Sequence, residues 1–281
     1  MEHLHNRKNL GAIAKSILPL VSAAFMNRVG GQFIRYNELG SCLIQGKGSG
    51  AGWDISSEIS VAASLVQTKT PVLLDVGANR GKWSMEMLKL FPKCRKLLLV
   101  EPQKECWQAL AKIEVANKVT IPTAVSDQPG QMSFYTADRQ AGWAAASLFE
   151  RQETYFSTVP QCKSVISIRT LDDIIEEHAI EVVDFMKMDI EGAELLALKG
   201  AAASFQARKI KAISFEFGSG NINSRTFFRD FWDFLNHHNF SIHRVLPGGK
   251  TLLIEEYYED LEYFRGVANY VAAVTENQCH S

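Results

Sequence analysis

From residue 71 onward, short apolar runs alternate with stretches of helical period, the pattern of a parallel sheet with crossover helices. "PVLLDV" (71–76), "KLLLVE" (96–101) and "KVTIPTAVS" (118–126) predict three buried strands. Between the first two, Trp83, Met87, Leu90 and Phe91 share one helical face that Pro92 ends; after the second, Trp107, Leu110 and Ala111 turn inward. "GQMSFYTAD" (130–138) and "SVISIRTL" (164–171) read as strands framing a long loop of no clear period, and such loops are often functional. A helix through Leu171, Ile174, Ile175 and His178, a strand at "VVDFMKMD" (182–189), a helix at "EGAELLALKGA" and a strand at "IKAISFEF" (210–217) continue the alternation. The helix "RTFFRDFWDFLNHH" (225–238) carries Phe228, Phe231, Trp232 and Leu235 as a core stripe, and "FSIHRVLPGGKTLLIEEYY" (240–258) is a hairpin turning at Pro-Gly-Gly.

Ahead of this block lie a helical region, the glycine-rich "QGKGSGAGW" (45–53) and "SSEISVAASLV" (56–66), an amphipathic helix with Ser56 or Ser57 as its cap. The expected organisation is a helical extension or cap over residues 1–70 and one main domain over 71–281. The glycine run lacks both a leading strand and the Lys-Ser/Thr pair of a phosphate loop, so it reads as a connector. "SILPLVSAAFM" (16–26), preceded by Arg7, Lys8 and Lys15, imitates an export signal, but Pro19 interrupts it and it falls short of the ~20 apolar residues that cross a bilayer. A helix packed on the main domain, able to touch a membrane surface or a partner, is the expectation; oligomeric state is not legible.

Composition narrows the function classes. With 46% hydrophobic residues in 281 and a net charge of −1, the chain can build an ordinary core and lacks the general basic field that draws a protein to nucleic acid. Five cysteines are scattered singly, as expected for reduced thiols in the cytoplasm, and neither His3/His5 nor His237/His238 has metal-ligand spacing. No metal is expected.

The chemistry concentrates in "LLDVGANRGKW" (73–83). Asp75, Gly77, Ala78, Asn79 and Gly81 stand at a strand's carboxyl end, where small residues let the backbone approach a ligand and the next helix offers free N–H groups. A dinucleotide fingerprint fails twice, because Asn79 and Lys82 occupy the second and third glycine positions. An acid within the turn instead suits a cationic amino-acid head group. Glu101 closes the next apolar run, where a carboxylate accepts both ribose hydroxyls, and Ser126 and Asp127 end the third, in place to bond an adenine amino group. Together these are compatible with an adenosine that carries a positively charged amino acid, S-adenosylmethionine. Taken singly, Asp75 is also a turn cap, Glu101 a surface acid and "SDQPG" a plain turn.

Through "LLDVGANRG", "VEP", "AVSDQPG", "TLDDII" and above all "DFMKMDIEGAELLALKGA", residues 70 to 218 resemble the FkbM family of S-adenosylmethionine-dependent methyltransferases; "NYVA" (269–272) is similar to family endings, whereas residues 1–55 carry little resemblance. The resemblance implies a Rossmann-like class I methyltransferase fold, α/β with a seven-stranded, mainly parallel sheet and a C-terminal antiparallel hairpin. It also implies S-adenosyl-L-methionine as cofactor, bound by the glycine turn, by Glu101 with Pro102 of "VEP", and by Ser126 and Asp127. The implied reaction is methyl transfer to a hydroxyl of a sugar, glycolipid or secondary metabolite.

A sulfonium methyl is already activated, so the protein has chiefly to align the partners, exclude water and assist loss of the hydroxyl proton. Asp189 is the first candidate base, with helix cap and electrostatic partner of the sulfonium as its other readings; Glu216 is the second and His243 a distant third. Glu191 and Glu194 suit the following helix dipole, and a magnesium ion on Asp189 and Glu216 is a minor alternative that nothing else completes. Trp143, Trp53 and Glu58 are candidate covers of the acceptor, with burial in the core as the plainer role for the tryptophans. The competing classes are a nicotinamide-dependent oxidoreductase on a related sheet and a binding module without catalysis.

Overall fold

The computed structural model describes residues 18–48, 55–137, 146–150 and 161–275. It forms two compact units, residues 1–45 and 46–281. The first contains helix α1 (Arg28–Ile44), opened by Asn27, whose side chain accepts a hydrogen bond from the Gly30 N–H at 2.9 Å. None of the described helices is long and apolar enough to cross a membrane.

The second unit begins with α2 (Ile55–Leu65) and then alternates β1 (Val72–Val76), α3 (Lys82–Leu90), β2 (Lys96–Val100), α4 (Lys104–Ala111) and β3 (Lys118–Ile121). A small second sheet follows: β4 (Ala124–Val125), β5 (Gly130–Ala137) and β6 (Gln161–Arg169). The chain then returns through α5 (Leu171–Glu177), β7 (Phe185–Met188), α6 (Glu194–Lys199), α7 (Ala202–Gln206), β8 (Ala212–Gly218), α8 (Ser219–Ser224) and α9 (Phe228–His237). It ends in β9 (Phe240–Leu246), β10 (Lys250–Ile254) and β11 (Val267–Val274).

The main sheet runs β10-β9-β11-β8-β7-β1-β2-β3, parallel from β8 to β3 and antiparallel at β11, β9 and β10. This is the expected class I architecture with a correction of strand count, eight in place of seven. The hairpin forms as read, but β11 inserts between it and β8, so the strand that closes the sheet is the last in sequence. A second correction concerns "KVTIPTAVS": Pro122 and Thr123 carry the chain off the main sheet after Ile121, and Ala124 and Val125 pair with β6 instead. Ser56 and Ser57 lie inside α2, not ahead of it.

Period-two alternation sorts side chains onto two faces. Val72, Leu74 and Val76 join Phe215, Phe228, Phe231 and Leu235 in one core. Leu73, Leu97, Leu99 and Phe185 join Trp83 and Met87 of α3 and Ile59, Val61 and Ala62 of α2 in the other. Ile59, Val61 and Ala62 of α2 are therefore part of this unit's core, and Phe228, Phe231 and Leu235 of the α9 stripe are buried as their spacing predicts, with Trp232 partly buried beside them. Leu90, placed inward by period, is exposed at the end of α3.

Candidate active site

Strand order reverses between β1 and β7: from β1 the sheet grows through β2 and β3, and from β7 it grows the other way through β8. Ligands of open parallel sheets sit beyond the carboxyl ends at such a reversal. A cavity of about 710 Å³ opens there.

On the β1 side the wall is the turn Gly77–Ala78–Asn79. Gly77 has φ +77°, and a Cβ on it would lie 2.0 Å from the Asp189 carbonyl oxygen, so only glycine lets the two loops touch. The Gly77 and Ala78 N–H groups both donate to the Val100 carbonyl, at 3.0 and 3.1 Å. Glu101 then stitches the strand ends together, its Oε2 accepting from the Asn79 N–H at 2.7 Å and its Oε1 from the Gln103 N–H at 2.9 Å. Burial raises the Glu101 pKa, and these N–H bonds oppose the rise. Pro102 and Gln103 continue the wall, with Thr123, Ala124, Val125 and Phe134 opposite.

The far half is built by β7, β8 and α2. Asp75 on β1 faces Lys187 on β7 in register, and Met188 pairs with Phe215, which sets the next residues, Asp189 and Glu216, side by side at the rim. Lys187 is held by three contacts: Asp75 Oδ1 at 3.5 Å, Asp189 Oδ2 at 3.3 Å, and the Gly77 carbonyl, to which it donates at 3.2 Å. Burial alone would lower its pKa, but Asp189, Asp75, Glu216 and Glu58 overrule that and raise it, so the ammonium stays charged. Glu216 is pushed well above the usual carboxylate range, by burial first and then by Asp189, Glu191 and Glu58. Glu58 of α2 lines the cavity and accepts a hydrogen bond from Asn269, the cross-strand partner of Glu216.

The loop after β7 is held from behind. Glu194, fully buried, accepts from the Ile190 and Gly192 N–H groups, both at 2.9 Å, and burial pushes its pKa up to about 8. This clamp supports left-handed backbone at Glu191 (φ +56°), and the Ser147 hydroxyl donates to the Glu191 carbonyl at 2.8 Å. Glu191, Ala146 and Leu148 all line the cavity.

Of the residues singled out in sequence, the structure gathers Gly77, Ala78, Asn79, Glu101, Pro102, Asp189 and Glu216 around one cavity. Asp75, Gly81, Ser126 and Asp127 are not among the residues that line this cavity. Asp75 is a strand residue pointing into the sheet's α3 face, where its Oδ2 accepts from the Ser84 hydroxyl at 2.6 Å. Gly81 packs against the end of α4 and the residues just past it: a Cβ there would lie 3.1 Å from Leu110 Cδ2 and 2.4 Å from Ile113 Cδ1. Ser126 and Asp127 follow the switch to the second sheet, and Ser126 donates to Asp127 at 3.0 Å. His243 lies in β9, away from the cavity, with its pKa lowered by burial. Glu194 clamps backbone and does not face a helix dipole alone. Trp53 and Trp143 lie outside the described residues. Lys187 was the residue missed, although it sits two positions before Asp189 and so shares its strand face. Thr123, Ser147 and Leu148 carried no signal in the sequence.

Residues 75–242 match the sequence model of the "Methyltransferase FkbM domain". The chain belongs to the FkbM methyltransferase family. It is 26% identical over 148 residues to "2-O-methyltransferase NoeI" of Sinorhizobium fredii (strain NBRC 101917 / NGR234), covering 49% of this chain and 60% of that protein. It is likewise 26% identical over 156 residues to "Methyltransferase sdnD" of Sordaria araneosa, covering 46% and 60%. The chain thus spans about three fifths of the length of these curated relatives. A crystal structure of Methyltransferase FkbM from Methylobacillus flagellatus superposes with a TM-score of 0.47 at 16% identity, over 76% of this chain and 47% of that one.

S-adenosyl-L-methionine is the cofactor that membership of this methyltransferase family implies. The wall fits it by chemistry: beyond its contacts with Asn79 and Gln103 the Glu101 carboxylate keeps acceptor capacity for a ribose hydroxyl, Arg80 and Lys82 supply cations for a carboxylate, and Val100, Val125 and Phe134 give an apolar bed for a base. Among the described residues, no group of three or more His, Cys, Asp or Glu side chains is placed to hold a metal ion.

Proposed function

We propose that this FkbM domain transfers a methyl group from S-adenosyl-L-methionine to a hydroxyl of a sugar, glycolipid or secondary metabolite. The observation that carries the reading is the Asp189 carboxylate, a quarter exposed on the cavity wall and carried at the end of β7 against the Gly77 turn. Gly77, Ala78, Asn79, Glu101 and Pro102 hold the cofactor, with Thr123 to Val125 taking the place expected of Ser126 and Asp127. When bound, the cofactor supplies an electrophilic methyl carbon. The protein's own work is to orient the acceptor and receive its proton.

In this reading Asp189 accepts the hydroxyl hydrogen bond and then the proton. Glu216, held protonated by burial and its acidic neighbours, donates a hydrogen bond to a neighbouring acceptor oxygen. Leu148, Ala146 and Ile55 close the apolar side and exclude water. The name of the Sinorhizobium relative supports oxygen as the methylated atom. The acidic side chains of Glu58, Asp189 and Glu191, beside the protonated Glu216, favour a small polyhydroxylated acceptor over a phosphate-rich nucleic acid. A cytoplasmic setting accords with the free thiols of Cys42, Cys94, Cys106 and Cys162, and the amino-terminal helix is assigned a peripheral role toward membrane or partner.

Titration calorimetry with S-adenosylmethionine, S-adenosylhomocysteine and NAD tests the cofactor. Incubation of cell extract with methyl-labelled donor, followed by mass analysis of the labelled product, tests the acceptor. Binding of NAD alone, or label recovered on nitrogen or on RNA, would sink the reading.

A further inference from the structure

Lys187 stands inside the segment that carries the resemblance but is given no role there, and the geometry converges on it. Asp75 and Lys187 are cross-strand partners, and Gly77 and Asp189 each stand two residues further along the same two chains. A lysine at that place reaches all three at once: Asp75 Oδ1 at 3.5 Å, the Gly77 carbonyl at 3.2 Å and Asp189 Oδ2 at 3.3 Å. Its side chain is 12% exposed and Asp75 is fully buried, so the contacts form largely away from water, where each is stronger than at a surface. Among the described residues Asp75 Oδ1 has no hydrogen-bond partner, and the Lys187 ammonium stands as its compensating charge.

We propose that Lys187 is a positioning residue whose ammonium ties the cofactor turn at Gly77 to the reacting carboxylate of Asp189, holding methyl donor and acceptor hydroxyl in register. The inference rests on the reading of Asp189 given above. It differs from the plainer role of neutralising Asp75, because a neutraliser is dispensable once Asp75 carries no charge and a tether is not. Ser84, which donates to Asp75 at 2.6 Å, fixes the other end of the chain of contacts to the start of α3.

The discriminating variant is K187M/D75N, which removes both buried charges together; K187M alone leaves Asp75 uncompensated and loses stability for that reason. The double variant is expected to melt near the wild-type temperature, with S-adenosylmethionine affinity about tenfold weaker and turnover on the labelled acceptor about 100-fold lower, the scale of a small misplacement of reacting groups. Amide hydrogen exchange in the unliganded chain is expected to quicken at 77–82 and 189–193 and to stay unchanged in β2 and β8, whereas D75N alone keeps wild-type exchange. Wild-type affinity and turnover in a folded double variant, or unchanged exchange in both segments, would overturn the tether. Should that variant not fold, K187R serves, keeping the charge but not its fit. Faster exchange in both segments at an unchanged melting temperature is then expected, and wild-type behaviour overturns the inference. A wild-type chain that binds no S-adenosylmethionine would instead defeat the methyl-transfer reading, and the exchange experiment on the unliganded protein still decides for or against the tether.

Discussion

Gly77 and Asp189 meet so closely that a methyl group on the Gly77 α-carbon would lie 2.0 Å from the Asp189 carbonyl oxygen. The turn proposed to face the cofactor and the loop that carries the candidate base are thus one contact, made by a glycine at φ +77°. Gly77→Ala combines a left-handed alanine with a backbone overlap, and should cost about 2–4 kcal/mol of stability. Urea unfolding measures it; a loss below half a kcal/mol would show that the loops are not pressed together as described.

Glu101→Ala removes the acceptor of the Asn79 and Gln103 N–H groups together with the carboxylate proposed to bind the ribose. Cofactor affinity should fall about tenfold or more, since bonds to a charged group are the stronger kind. Calorimetry with S-adenosylhomocysteine reads the change, and an unaltered Kd would remove Glu101 from the site.

Asp189→Asn keeps the shape of the β7 end but can no longer take a proton. Turnover should drop about 100-fold while cofactor affinity changes little. Equal losses in both would assign Asp189 to binding alone.

Glu194 makes stability depend on pH. Its folded pKa, about 8, lies above the ordinary value of 4.5, so the folded state keeps a proton that the unfolded chain releases. Its contribution is complete below pH 4.5 and is lost as pH rises through about 8. Unfolding free energy measured at pH 5, 7 and 9 should show this decline, and Glu194→Gln should flatten it. A decline of equal slope in the variant would place its origin elsewhere.

Arg244 is a stability liability. It is 2% exposed, its Nε and Nη1 have no hydrogen-bond partner among the described residues, and its guanidinium has the Tyr270 ring at 5.9 Å. Replacing a buried, poorly satisfied charge with an apolar side chain of similar length removes a desolvation penalty. Arg244→Met should stabilise the fold by about 1–3 kcal/mol, even after loss of the ring contact. A lower melting temperature in the variant would show that the cation is satisfied in solution.

Much of the site was legible because its signals are local. A strand end followed by small residues, and acids closing successive apolar runs, mark a ligand rim without any knowledge of pairing, which is how Gly77, Asn79, Glu101, Asp189 and Glu216 came forward. The failures share one cause. Asp75 looks like a turn residue until its strand phase is known, and then it points at Ser84 and Lys187. Ser126 and Asp127 look like a strand end until Pro122 and Thr123 are seen to lead into another sheet. Lys187 carries no meaning in sequence beyond its motif, because its three partners come from two strands far apart in the chain.

By itself the sequence determined the class of fold, the crossover rhythm, the buried stripe of α9, the Pro-Gly-Gly hairpin and the family, since each rests on periodicity or on residues close along the chain. Tertiary structure alone decided that β11 enters between β8 and the hairpin, that Thr123 to Val125 replace Ser126 and Asp127 at the cavity, and that one ammonium joins Asp75 to Asp189. Those depend on which strands become neighbours and in what register, and that choice is made by burial of both sheet faces at once, a property of the whole chain and of no segment within it.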